Sequence, residues 1–333
     1  MHEHEDHHVH EGSHGHADRH GEAPLASFEA KWAAAYPELA LALTFVPVDR
    51  RTAHGAFACI RHELEHAAYG IREAQPAALK LQWWAEEFAR ARSGEPRHPL
   101  TRALAVDARF ADVALEQWHA AVIGAHAQRD PEPASDTATL LRGYEALQAP
   151  LARIESKLFG PLDAAVLARI RAVSRALREA ATLGDALRDG RLPLPLDLLA
   201  RHRLARGDLA HDTPARRDAL RDGLRALRAA TDVLAWRDAG VPGAATASAD
   251  RWRLAQAAAA ADPATALPPL LGRLPLRTTL ACWRAARVRA EAAMLLGGCG
   301  RESIAASAAP TPQPDSDSPL FCGHRYRRPK VNC

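Results

Sequence analysis

The chain has little of the material from which β-sheets are built. Aromatic residues make up 5% of its 333 residues, with four tyrosines and seven phenylalanines, and valine and isoleucine are also scarce. Alanine, leucine and arginine dominate, and these residues favour helices, whereas strands favour β-branched and aromatic side chains. The composition therefore predicts an all-α protein. A chain of this length can form one large helical domain, for which we predict the bounds 23–300.

Lysine is nearly absent, although the chain is rich in arginine. Only four of the 43 basic residues are lysines, and the formal net charge is only +3. So small a charge, spread over the whole chain, excludes the basic footprint that is typical of nucleic-acid-binding proteins. Arginine-rich helices also suit a diphosphate ligand or an anionic membrane surface, although a solvated helix face explains most such residues.

Paired cysteines and long apolar runs are also missing. The five cysteines are scattered and include no C-x-x-C pair, which favours reduced thiols in a cytoplasmic protein. No apolar run reaches the roughly 18 residues that a membrane-spanning helix needs, and no secretory signal opens the chain. We therefore expect a cytoplasmic protein that is soluble or lies peripherally at the inner membrane.

The two ends of the chain differ in composition from its middle. Residues 1–22 carry eight histidines among Glu, Asp and Gly, and residues 301–333 are rich in Ser, Pro and Asp. Neither segment has enough apolar residues to build a core, so both are predicted to be disordered tails. The clustered imidazoles and carboxylates of the first tail are also predicted to bind Zn²⁺, Ni²⁺ or Cu²⁺ loosely.

Two helical segments in the first third of the chain carry informative patterns. In residues 53–73, apolar side chains recur at three- and four-residue spacing and predict one buried stripe, consisting of Phe57, Ile60, Leu64, Ala67, Ala68 and Ile71. Residues 77–94 include the bulky pair Trp83-Trp84 and end at a glycine, which is a common helix stop. The sequence His98-Pro99-Leu100 follows shortly afterwards.

Two further patterns lie in the second half of the chain. Tyr144 belongs to a predicted long helix and is followed by the small residues Ala146, Ala149 and Ala152. A later segment contains Leu187-Arg188-Asp189, followed by the run 190–199, which reads GRLPLPLDLL.

Together these patterns resemble the squalene/phytoene synthase family, whose members join two isoprenoid diphosphates head to head. The resemblance implies a single isoprenoid-synthase-like helical domain with a cavity for an isoprenoid diphosphate or lipid-like ligand. It also implies Mg²⁺, which aspartate-rich motifs hold against the departing diphosphate. By the same resemblance Tyr144 lines the cavity, and Arg61, Arg188 and Arg191 are candidate ligands of the diphosphate.

The aspartate motifs of that family are degraded here. Laid without gaps on this chain, the first motif falls on Glu63, Leu64 and Ala67, of which only Glu63 could bind a hard cation. The second motif offers Asp185 and Asp189, which are one helical turn apart. The candidate catalytic residues are therefore Glu63, Asp185 and Asp189, with Glu63 and Asp189 as the Mg²⁺ ligands. The structural alternative is that Glu63 and Asp189 form ion pairs with nearby arginines.

Three functions remain open. The first is a divergent protein that has lost efficient Mg²⁺-dependent condensation and acts in binding or assembly, as relatives that assemble respiratory complex I do. The second is an active Mg²⁺-dependent head-to-head prenyltransferase of isoprenoid or carotenoid biosynthesis. The third is a zinc hydrolase, because residues 62–66 spell H-E-x-x-H and place His62 and His66 on one helical face. Glu86 then lies at a spacing that some zinc peptidases use for their third ligand.

Overall fold

The computed structural model describes the backbone of residues 19–288 and the side chains of residues 25–288 apart from residue 237. The tails predicted at 1–22 and 301–333 lie outside the described residues, except that the backbone of 19–22 belongs to the first helix. The domain bound predicted at residue 300 lies outside them as well. Within the described range the chain forms helices and no strand, which confirms the all-α prediction.

The helices follow one another through short connections. The α-helices of the described residues are α1 (Arg19–Ala35), α2 (Pro37–Leu43), α3 (Arg51–Glu65), α4 (Ala74–Arg92), α5 (Pro99–Ala105), α6 (Leu115–Ala127), α7 (Thr137–Phe159), α8 (Ala164–Ala181), α9 (Leu183–Arg188), α10 (Leu196–Arg201), α11 (Pro214–Asp232), α12 (Gly240–Ala259), α13 (Pro263–Leu271) and α14 (276–288). Side-chain caps define several of their starts: Asp136 accepts a hydrogen bond from the Thr139 amide, and Asp163 accepts two from the first turn of α8.

The stripe predicted for the first helical segment is buried, as expected. Its members from Phe57 to Ala68 are at most 2% exposed, and Ile71 is half-buried. The helix does not end at Glu65 but widens into a π-helical turn, His66–Gly70, in which the amide of Ile71 donates to the carbonyl of His66. Such turns shift the helix face by one residue and are common at functional sites. This turn brings Tyr69 and Arg72 to the cavity described below.

Helices α6 and α7 approach each other closely at Gly124. A Cβ atom built on Gly124 would lie 2.2 Å from the carbonyl oxygen of Ala146 and 2.9 Å from Cα of Leu147. Only a residue without a side chain fits between these two backbones. The close approach sets the position of α7, which carries Tyr144, Gln148 and the buried Glu155.

Charged side chains are buried beside the apolar core. Helix α8 packs against α7, α11, α12 and α13, and its residues Arg171 and Glu179 are at most 5% exposed. Arg171 is paired with Glu155 of α7, whereas Glu179 is paired with Arg175 and Arg191. Buried charges are stable only when they are paired and hydrogen-bonded. The bundle therefore contains a layer of ion pairs, and this layer borders the cavity described below.

Candidate ligand-binding cavity

A cavity of about 870 Å³ opens where the end of α1, the π-helical turn, α8, α9 and the end of α13 meet. Small and apolar residues form part of its wall, together with Tyr36, Tyr69 and two histidines. The charged side chains that line it are Glu65, Arg72, Glu73, Arg175, Arg178, Asp185, Asp189 and Arg191. The size falls within the range of small-molecule sites in proteins.

Glu65 is the acidic residue that α3 directs into this cavity. It accepts hydrogen bonds from the Tyr36 hydroxyl and, over 3.0 Å, from Nε2 of Gln148, and Arg61 lies 4.0 Å away. Burial alone would raise the pKa of Glu65, but the charge of Arg61 and the two hydrogen bonds hold that pKa below its ordinary value. Burial also raises the pKa of Tyr36, so the phenol stays a neutral donor. Glu65 is therefore an ionised carboxylate whose oxygen atoms are already engaged.

Glu63, the carboxylate on which the family motif falls, lies outside the cavity lining. Its Oε2 atom is 2.6 Å from Nζ of Lys80 on α4, and the same ammonium is 3.3 Å from Nδ1 of His66. Two positions along a helix correspond to about 200° of rotation, so Glu63 and Glu65 face different neighbours. The sequence comparison missed Glu65. One feature of the sequence could have indicated Glu65: it lies four residues after Arg61, so the two side chains share one face of α3 and can form an ion pair.

Two arginines of α8 stack on the tyrosines of the cavity wall. The guanidinium of Arg175 lies 3.9 Å from the ring centre of Tyr69, and that of Arg178 lies 4.0 Å from the ring centre of Tyr36. Arg178 also donates over 2.7 Å to Glu38, while Arg175 donates to Glu179. Stacking and ion pairing hold both guanidinium groups in place, so the cavity wall contains two preorganised arginines.

Asp185 and Asp189 both line the cavity, as their one-turn spacing predicts. Asp189 is bound by two cations: Nε of Arg72 lies 2.8 Å from Oδ1, and Nη2 of Arg191 lies 3.3 Å from Oδ2. Asp185 is paired with Arg188, whose side chain is 63% exposed and does not line the cavity. Of the arginines predicted to bind a diphosphate, Arg191 lines this cavity and Arg188 does not.

Arg61, the third predicted diphosphate ligand, is buried behind the cavity wall. It is 3% exposed and borders a void of about 10 Å³ together with Arg171, Arg175 and Arg178. Each of these four guanidinium groups has one buried N–H without a partner among the described residues. A void of this size has room for about one water molecule, which could accept some of these hydrogen bonds.

Tyr144 lines a second cavity of about 460 Å³ next to the first. The two cavities share Tyr69 and Arg191 as lining residues. Ala134, Ala146 and other small or apolar residues contribute to the walls of the second cavity, whereas Ala149 and Ala152, the other small residues after Tyr144, do not line it. Burial raises the pKa of Tyr144, so its hydroxyl is neutral at ordinary pH.

The described residues do not fit either of the expected metal ions. No group of three or more His, Cys, Asp or Glu side chains in this part of the chain is close enough to hold one. For Mg²⁺, Glu63 is paired with Lys80, whereas Asp189 is paired with two arginines. For zinc, His62 and His66 line the cavity, but Glu86 lies on α4, is 53% exposed and contacts Gln82 and Arg90.

Comparison with known proteins identifies the fold. No family model and no curated protein matches the sequence. Among solved structures, a dehydrosqualene synthase in complex with ligand matches with a TM-score of 0.59 at 12% identity, over 82% of this chain and 99% of that chain. The squalene synthase HpnC from Alicyclobacillus acidocaldarius matches with a TM-score of 0.52 at 15% identity, over 72% of this chain and 95% of that one. The chain therefore has the all-α fold of squalene and dehydrosqualene synthases.

Proposed function

We propose that this protein binds an isoprenoid diphosphate, or another lipid-like molecule with an anionic headgroup, without condensing two such molecules. The observation that supports this most directly is the state of the cavity's charged groups. Arg72 and Arg191 occupy the carboxylate of Asp189, which in a Mg²⁺-dependent synthase would be free to bind metal. The arginines themselves are the groups suited to an anionic headgroup, because guanidinium N–H donors match phosphate oxygens.

In this proposal the headgroup lies among the arginines and the apolar chain extends past Tyr69. The headgroup competes with Asp189 for Arg72, whose side chain is 61% exposed and free to change rotamer. The chain occupies the second cavity, in which Leu140 and Leu192 are among the lining residues. The proposal is supported by the fold relationship to a dehydrosqualene synthase that was solved in complex with a ligand.

A non-hydrolysable thio analogue of farnesyl diphosphate tests the proposal by isothermal titration calorimetry, in EDTA and in Mg²⁺. We expect binding in EDTA. Replacing Asp189 by Asn should tighten it about tenfold, because a carboxylate that repels the headgroup and competes for Arg72 is removed. Arg72→Gln should weaken it about tenfold or more, since one charge-assisted hydrogen bond is lost. Arg225→Gln is the matched control, because Arg225 on α11 is 64% exposed and both it and its partner Asp222 lie outside the lining.

The alternative is an active Mg²⁺-dependent prenyltransferase, which is favoured by the presence of both Asp185 and Asp189 in the wall of one cavity. It makes the opposite forecast for the same variant: Asp189→Asn should abolish analogue binding, and binding should require Mg²⁺. Formation of a condensed product from farnesyl diphosphate in Mg²⁺, lost in Asp189→Asn, would establish this alternative and contradict the binding proposal. An assembly role with a protein partner, and a place at the inner membrane, stay predictions.

A further inference from the structure

Helix α14 is apolar on the side that faces away from the bundle as well as on the side that faces it. Its inner face, which includes Ala281, Cys282 and Ala285, is at most 6% exposed. Its outer face presents Leu276, Leu280, Trp283 and Val288, which are 90%, 44%, 46% and 54% exposed. Surface helices normally turn polar residues outward, so large apolar side chains at this spacing mark an interaction surface.

The polar residues on this outer face include several arginines and no acid. Residues 263–288 contain no Asp or Glu, whereas Arg273, Arg277, Arg284 and Arg287 are all exposed. The guanidinium of Arg287 lies 5.0 Å from the ring centre of Trp283. Partial burial and the charges of Arg251 and Arg228 lower the pKa of Arg277, so two arginines of the neighbouring helices α12 and α11 lie near this face, where both pair with Asp232.

This combination of side chains fits a lipid surface better than a second copy of the chain. A second copy would bring two arginine-rich faces together, and like charges in contact are unfavourable. Helices that lie in the plane of a membrane have Leu and Trp on the buried side and arginines that reach the headgroups. Among the described residues no helix is long and apolar enough to span a bilayer. Because the inner face of α14 packs against the bundle, an in-plane orientation is the geometry that suits this helix.

The helix that carries this surface follows soon after the cavity wall along the chain. Leu271 and Gly272, at the end of α13, line the cavity, and α14 begins at residue 276. The exposed Leu274 lies in the connection between them.

We propose that the outer face of α14 docks on an anionic lipid bilayer, with Leu276 and Trp283 in the headgroup region and the arginines on the lipid phosphates. The proposal goes beyond ligand binding and does not depend on it, because the face lies outside the cavity lining.

Vesicle flotation of the full-length protein tests the proposal, with vesicles of phosphatidylcholine alone or mixed equally with phosphatidylglycerol. We expect binding to the mixed vesicles only, weakened by salt. Leu276→Glu combined with Trp283→Glu should lower the partition coefficient at least about tenfold, and Arg277→Gln combined with Arg284→Gln about 30-fold. The matched controls are Val106→Glu, at an apolar residue that is 86% exposed, and Arg225→Gln, at an exposed arginine on α11.

Specific outcomes would overturn the docking proposal. They are a wild-type protein that does not float with mixed vesicles, equal losses in the α14 variants and the controls, or a concentration-dependent dimer that Leu276→Glu dissociates. Arg72→Gln, which tests the cavity ligand, should leave flotation unchanged. Failure of the ligand proposal and failure of the docking proposal are thus separate results.

Discussion

Arg253 of α12 donates a hydrogen bond over 2.8 Å to Glu38 of α2, and both side chains are fully buried. The same guanidinium donates over 2.8 Å to Asp250 and over 2.6 Å to the carbonyl of Leu271, which lies in the cavity wall. One residue therefore pairs with two buried carboxylates and holds the end of α13 through a backbone hydrogen bond. Arg253 therefore contributes both to the stability of the bundle and to the position of Leu271 in the cavity wall.

Replacing Arg253 by Met should lower the free energy of unfolding by about 3–5 kcal/mol, because Asp250 is left buried without its cation and Glu38 keeps only Arg178. Urea denaturation followed by circular dichroism measures the loss. The double variant Arg253→Met with Asp250→Asn removes the stranded charge and should recover part of the loss, while Glu38 keeps its ion pair with Arg178. A loss below about 1 kcal/mol in Arg253→Met would show that the ion pairs contribute little.

Replacing Glu65 by Gln should lower the stability at neutral pH by about 3 kcal/mol, because Arg61 is left without its carboxylate. The folded-state pKa of Glu65 is held below its ordinary value of 4.5. Its contribution is therefore complete above pH 4.5 and is lost as the pH falls through the folded-state pKa. The stability difference between wild type and variant should shrink in acid, which chemical denaturation at several pH values measures. A difference that stays constant down to the acid transition would contradict this assignment.

Gly124→Ala should lower the free energy of unfolding by about 3 kcal/mol or more, because the added Cβ clashes with the backbone of α7. Relieving the clash requires one of the two helices to move away from the other. Gly143→Ala is the matched control, since nothing lies within 4 Å of its Cβ position in the same helix pair. That variant should gain about 1 kcal/mol from helix propensity. Thermal and urea unfolding of the two variants distinguish them, and equal effects would mean that α6 and α7 do not approach as described.

His66→Ala should leave the zinc content of the full-length protein unchanged after dialysis. The described residues do not bring Glu86 to His62 and His66, and the ammonium of Lys80 lies 3.3 Å from His66. Metal analysis by inductively coupled plasma mass spectrometry measures the content, with His126→Ala on α6 as the control. One tightly held zinc ion, lost in both His62→Ala and His66→Ala, would restore the zinc-hydrolase hypothesis.

Much of the fold was predictable from local patterns. The apolar spacing from Phe57 to Ala68 predicted the face of α3 that is buried, and Trp84 is 1% exposed, as expected for a core residue. These predictions succeed because a helix that must bury one stripe has only one orientation towards its neighbours. Trp83, one residue earlier, is 39% exposed.

The candidate site was less predictable. Alignment with the family motif pointed to Glu63, but Glu65 faces the cavity, because both edges of the apolar stripe carry a glutamate and the sequence does not distinguish them. No pattern in the sequence predicted the π-helical turn that brings Tyr69 and Arg72 to the cavity. The sequence also does not predict an ion pair between residues that are far apart in the chain, such as Arg72 and Asp189.

By itself the sequence determined the helical class and the buried face of α3, since these follow from composition and spacing along one chain. Only the tertiary structure decided which charged groups meet. An ion pair depends on the relative positions of helices distant in the chain, and those positions are set by packing of the whole bundle. That packing surrounds Asp189 with Arg72 and Arg191 and turns Glu63 towards Lys80.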